Sequence, residues 1–114
     1  MENNEKKEIT LRWGLALQKI LDARKLMNQQ IKTEKGRKDK ELIDSFGKLW
    51  LKSGIHKPSI VGYARGNNAE ITTWMILLDA LGVTLSEFAA IHDAITPEEI
   101  RAHEAEIEKK KKWW

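Results

Sequence analysis

Residues 46–65 read FGKLWLKSGIHKPSIVGYAR, and their spacing decides the fold. Leu42, Phe46, Leu49, Trp50 and Ser53 recur at helical intervals, which predicts a helix up to Ser53 with one apolar face. Gly54 supplies the left-handed backbone that ends it. Pro58 stands where a first helical turn tolerates proline, because the first N–H groups of a helix have no intrahelical acceptor. Ile60 and Tyr63 then lie three apart on a second helix. The stretch is two short helices joined by a tight turn. With Phe46 as position one of twenty, apolar residues fall at four, ten, fifteen and eighteen (Leu49, Ile55, Ile60, Tyr63) and glycine at nine.

That pattern resembles the lambda-repressor-like (XRE/Cro-type) helix-turn-helix DNA-binding family. The resemblance continues through Gly66, Asn67, Asn68 and the run ITTWMILLDALGVTLSEF, so it covers residues 45–88. It implies an all-α, lambda-repressor-like five-helix domain. In the family the second helix starts directly after the leucine that Leu26 matches. Here residues 27–44 (MNQQIKTEKGRKDKELID) intervene. The apolar face continues through Met27 and Ile31, Gly36 is a plausible stop, and Asp39 can cap a helix carrying Leu42, Ile43 and Phe46. The expectation is an extended helical hairpin inserted between helices one and two, with Ile31 packing toward Leu42 or Ile43. A flexible loop is the rival reading of the same residues.

The whole chain of 114 residues suits one domain with one modest core. It has no cysteine, no apolar run of about eighteen residues and a polar N-terminus, which predicts a cytoplasmic protein without a membrane span. Two prolines and many Leu, Ile, Ala, Lys and Glu residues favour helix throughout. A formal charge of +3 suits nucleic acid without singling it out.

Residues 1–8 carry charges of both signs without apolar periodicity and read as a disordered tail. Thr10 is a possible cap, and Trp13, Ala16, Leu17, Ile20 and Leu21 share one face of a first helix. Ile71, Trp74, Leu77, Leu78 and Leu81 predict the buried face of a fourth, which ends at Gly82 and leaves Met75 and Ile76 outside. Thr84 and Glu87 form a capping box for a fifth helix, with Val83 stapled on Phe88. The device recurs at Thr96 and Glu99, before a sixth, C-terminal helix over 96–114 whose apolar stripe is thin: Ile100, Ala105 and Ile107. That helix either docks by the stripe, on its own domain or a second subunit, or frays. Trp113 and Trp114 either anchor back or bind something. The domain proper is read as 9–95, with the helix-turn-helix at 45–66.

No catalytic chemistry is indicated. Three histidines without cysteine give no metal-ligand spacing, no glycine-rich phosphate loop or nucleophilic triad stands in the chain, and Asp93, Glu98 and Glu99 read as helix-end charges. No cofactor, metal or small-molecule substrate is expected, and the protein is read as not an enzyme. The resemblance places a recognition helix at about 57–65 in the DNA major groove. Its first residues, His56, Lys57 and Ser59, carry groups able to read bases: Lys57 can donate to guanine O6 and N7, and Ser59 can donate or accept. The resemblance also implies backbone contacts from Ser45, Arg65, Asn67 and Asn68. Lys35, Arg37 and Lys38 on the insertion either reach neighbouring phosphates or lie on a solvated arm.

The chain departs from the family at several points. Trp50 stands where alanine or glycine normally lets helices two and three approach, so it must displace something. Pro58 and Gly62 occupy base-reading positions without a group to donate or accept. Ala64 and Leu21 replace a glutamate and its arginine partner, so an apolar contact could take their place. The resemblance implies a sequence-specific, DNA-binding transcriptional regulator of bacterial or phage type, binding double-stranded DNA as a homodimer through the region from Phe88 to Ile107. The alternative is a degenerate helix-turn-helix domain used for protein–protein interaction through Leu51, Met75, Ile76 and the terminal tryptophans.

Overall fold

In the computed structural model, which describes residues 2–111, the first third of the chain is a single helix, α1 (Glu2–Lys35). It is followed by α2 (Phe46–Ser53), α3 (Lys57–Ala64), α4 (Ile71–Leu81), α5 (Leu85–Asp93) and α6 (Pro97–Lys111), and no strand occurs among the described residues. Trp113 and Trp114 lie outside them. A 34-residue helix is about 50 Å long at 1.5 Å per residue, which accounts for the longest dimension of the molecule, 50 Å.

Residues 2–8, expected as a tail, are therefore helical. They are rich in Glu and Lys, and extending an existing helix is far easier than nucleating one. Thr10 is not a cap: its hydroxyl donates back to the carbonyls of Lys6 (3.2 Å) and Lys7 (3.1 Å) inside the helix.

α1 lies against α3, α5 and α6, while α2 packs on α3 and α4. Leu11, Ala16, Leu17, Ile20 and Leu21 are buried, and Trp13 sits with its ring centroid 5.3 Å from both Trp74 and Phe88. Two arginines tie the outer elements to this spine. Arg12 donates to Ile95 O and Arg24 to Leu81 O, each at 2.6 Å, and both acceptors stand at or just past helix ends that leave carbonyls without intrahelical donors. In α4, Trp74, Leu77, Leu78 and Leu81 are buried as their spacing predicts. Ile71 is not: at 59% exposed, it opens the helix at the rim of a cleft that also holds Ile9, Trp13 and Trp74.

The insertion follows half of its expectation. α1 does run on to Lys35 and stop at Gly36, which takes a φ of 82°. Residues 36–45, however, form no second helical arm. Asn28, fully buried, accepts the Asp39 N–H (2.7 Å) and donates to Asp39 O (3.0 Å) and Asp44 Oδ2 (2.8 Å). A helix capped at Asp39 would need that carbonyl for its own first bond, so the tie to Asn28 and the helix exclude each other. The Asp39 carboxylate instead accepts the Glu41 N–H at 2.9 Å, a local turn. Met27, expected on the apolar face, is exposed, as is Leu26 beside it, because that face passes through Leu21, Arg24, Asn28 and Ile31.

α5 and α6 both open on capping boxes. Thr84 and Glu87 exchange bonds at 3.1 Å, and Thr96 and Glu99 do so at 3.1 and 3.2 Å. α6 docks on α1 of its own chain. Phe88, Ile95, Ile100 and Ile107 are buried there, whereas Ala105 is exposed. The apolar side chains between Phe88 and Ile107 to which a dimer contact was assigned are thus largely covered within one chain. No single helix among the described residues is long and apolar enough to cross a membrane.

Candidate nucleic-acid interface

α2 starts at Ser45, whose hydroxyl accepts the Lys48 N–H at 3.1 Å. The start is braced from behind. Asp44 takes Asn28 on one oxygen and Lys48 Nζ, 3.0 Å away, on the other. Burial alone would raise the Asp44 pKa, but the hydrogen bonds from Asn28 and Lys48 and the Lys48 charge outweigh it and hold the carboxylate below its ordinary range. One network therefore fixes the loop, the N-terminus of α2 and the α1 face beneath them.

Gly54 ends α2 with φ 79°, its N–H bonded to Trp50 O at 2.8 Å. α3 begins three residues beyond it, after its cap His56. Ile60 and Ala64 turn inward and are buried, which leaves the first turn (His56, Lys57, Pro58 and Ser59) exposed. Trp50 does not wedge between the helices as expected. Leu49 takes the core position, and Trp50, 39% exposed, meets the His56 ring edge-on with centroids 5.1 Å apart. What the tryptophan constrains is the orientation of His56. Leu21 and Ala64 are both buried in the core.

Beyond α3, Gly66 turns the chain with φ 98°, and the Asn67 N–H returns to Gly62 O at 2.9 Å. Asn67 and Asn68 are exposed, and the Asn67 amide lies over Gly62. The outer side of α3 borders an open groove of about 480 Å³. Lys57, Pro58, Val61, Gly62, Arg65 and Asn67 form one wall, and Ile107 and Lys111 of α6 form the other. His103 Nε2 donates to Ala64 O at 2.7 Å and ties the two helices at one end.

The structure thus brings His56, Lys57 and Ser59 together on one turn, and Arg65 and Asn67 to the groove beside it. Ser45 is separate, at the start of α2, and Asn68 faces the neighbouring cleft. Lys35, Arg37 and Lys38 are exposed around Gly36, where α1 ends. Sequence reasoning missed Asn28, Asp44 and Lys48, whose link only the fold creates. It also missed His103, although Ile100, His103 and Ile107 follow the i, i+3, i+7 spacing of one helix face. Among the described residues no group of His, Cys, Asp and Glu is arranged to hold a metal. No family model, curated protein or solved structure matches the chain.

Proposed function

We propose that this protein is a sequence-specific DNA-binding transcriptional regulator of bacterial or phage type, with α2 and α3 as a lambda-repressor-like helix-turn-helix. The observation that carries the reading is the division of α3. Its inner face is locked into the core by Ile60 and Ala64, while its first turn projects Lys57 and Ser59 into solvent beside a constrained His56. A helix presented in this way can enter a major groove with its N-terminal residues at base edges. Ser45 and the first amides of α2 would meet a phosphate, with Arg65, Asn67 and Asn68 along the same strand. Lys35, Arg37 and Lys38 would extend the contact to flanking DNA. Binding as a homodimer to two half-sites belongs to the same proposal, and no catalytic step does.

A second reading has its own support. Leu51 is 82% exposed on α2, and Met75 and Ile76 are exposed on α4, which packs against α2. Apolar side chains on two adjacent helices suit a protein partner. Selection from random duplexes followed by footprinting separates the two. The DNA reading expects an enriched site protected over the same bases, with log affinity falling linearly against log salt. No enrichment, together with no retention on duplex DNA at low salt, would favour the protein partner.

A further inference from the structure

α3 ends in a Schellman turn that folds one side chain back over the helix. The Gly66 N–H bonds Tyr63 O at 3.1 Å and the Asn67 N–H bonds Gly62 O at 2.9 Å, with φ 98° at Gly66. In this motif the residue after the left-handed glycine lies against the one whose carbonyl it takes, commonly as an apolar pair. Here the pair is Asn67 on Gly62. A Cβ at Gly62 would stand 2.6 Å from the Asn67 amide nitrogen and 3.5 Å from its Cγ. The amide therefore fills the place where a side chain at residue 62 would begin.

That place is on the outward ridge of α3. Gly62 is two residues from Ile60 and two from Ala64, both buried. Each residue turns a helix by about 100°, so Gly62 points about 160° away from either. Pro58 stands one turn earlier on the same ridge. Neither residue carries a side-chain group that donates or accepts.

We infer that Asn67 is the base reader of this ridge, in place of the side chain that Gly62 lacks, and that the base it reads is adenine. The inference rests on the DNA-binding reading and takes Asn67 out of the row of backbone contacts. Among the described residues nothing bonds the Asn67 amide, and only its backbone N–H is engaged. Donor and acceptor are both unused. Set side by side, they match the N7 acceptor and the N6 amino group of adenine, whereas a phosphate presents acceptors only and would leave the amide oxygen idle. The amide sits close to the helix backbone, so its reach is short. Glycine and proline on the ridge offset this, because they let the backbone approach the base edges closely.

The test uses the full chain, with selection from random duplexes followed by affinities for the enriched site and its single-base variants at fixed salt. Asn67→Ala should bind the enriched site about tenfold more weakly and lose the preference for adenine at one position, with the other positions unchanged. Gly62→Ala keeps Asn67 but puts a methyl group where the amide lies, and should erase the same position. The obstruction is the end of a flexible side chain, and alanine is the better helix former, so the thermal midpoint of Gly62→Ala should not fall. Asn67→Asp, which only accepts when ionised, should shift that position from adenine toward cytosine. Uniform weakening on all sequences by Asn67→Ala marks a phosphate contact and overturns the inference, with the DNA reading still standing. Unchanged selectivity in Gly62→Ala overturns it too, as does a parent that binds duplexes without enriching any sequence. If the parent is not retained on duplex DNA even at low salt, the DNA-binding reading falls and the inference with it.

Discussion

Gly14 of α1 lies directly under the end of α3: a Cβ at Gly14 would stand 2.6 Å from the carbonyl oxygen of Ala64. The obstruction is backbone, so no side chain can turn aside to admit even a methyl group. Gly14→Ala gains up to about 1 kcal/mol of helix propensity and loses more, since overpacking of this kind costs about 1–3 kcal/mol. The net effect is a less stable protein, seen as a lower urea midpoint with unchanged slope. A Gly14→Ala variant as stable as the parent would mean that α1 and α3 do not cross at this point.

Asn28 carries a second prediction. Its amide is the common partner of Asp39 and Asp44, and it is fully buried. Asn28→Ala leaves the Asp39 N–H and one oxygen of the buried Asp44 carboxylate without their partner, a loss of about 1–3 kcal/mol that falls mainly on Asp44. The loss should be local as well as global. Trypsin should cut after Arg37, Lys38 or Lys40 much faster in the variant, because residues 36–45 are held by side-chain bonds rather than by a helix ladder. Unchanged cleavage would show that Asn28 is not what fixes the loop.

These two positions also show why one part of the fold was legible in the sequence and another was not. The ends of α2 and α4 and the starts of α3, α5 and α6 follow from local signals: glycines with positive φ after α2 and α4, Pro58 in the first turn of α3, and two capping boxes. Each acts within four residues, so spacing alone reveals it. The buried faces of α1 and α4 followed for the same reason, except at Met27, where the face turns toward Asn28, and at Ile71, where a helix end escapes the periodicity. Asn28 could not be read in this way. A polar residue on a helix looks solvated until a segment eleven residues away folds back onto it. The expected second arm failed at Asn28. His56, Lys57 and Ser59 were legible as an exposed first turn, but the docking of α6 on α1 was not, since it depends on how the intervening elements bring the chain back.

The Asp44 carboxylate gives a pH dependence whose sign is fixed. Its folded pKa is lowered, so it contributes stability above the unfolded value of about 3.9, and that contribution is lost as pH falls through the lower folded value. Glu87 and Glu99, lowered by their bonds to Thr84 and to Lys19 and Thr96, act in the same direction. Acid should therefore weaken the fold below about pH 4. Lys48→Met removes one of the groups that lower the Asp44 pKa, so its urea midpoint should fall less steeply with pH over that range. A variant curve parallel to that of the parent would remove Asp44 from the acid response.

The last prediction separates two kinds of cation under the DNA-binding reading. Lys35, Arg37 and Lys38 stand around the end of α1, far in sequence from α3, and offer charge without a fixed partner surface. Phosphates are alike along any duplex. Replacing the three by glutamine should therefore weaken binding to all sequences alike and flatten the slope of log affinity against log salt by about 0.9 for each phosphate no longer neutralised. Lys57 stands on the exposed first turn of α3, between the constrained His56 and Pro58. A group that bonds a base edge discriminates, so Lys57→Ala should cost about 1–3 kcal/mol on the preferred site and relax selectivity at one position. The two outcomes do not resemble each other. An unchanged salt slope in the triple variant assigns the arm to solvent. Unchanged sequence preference in Lys57→Ala takes base reading away from α3, and the exposed apolar side chains of α2 and α4 then become the better candidates for what this protein binds.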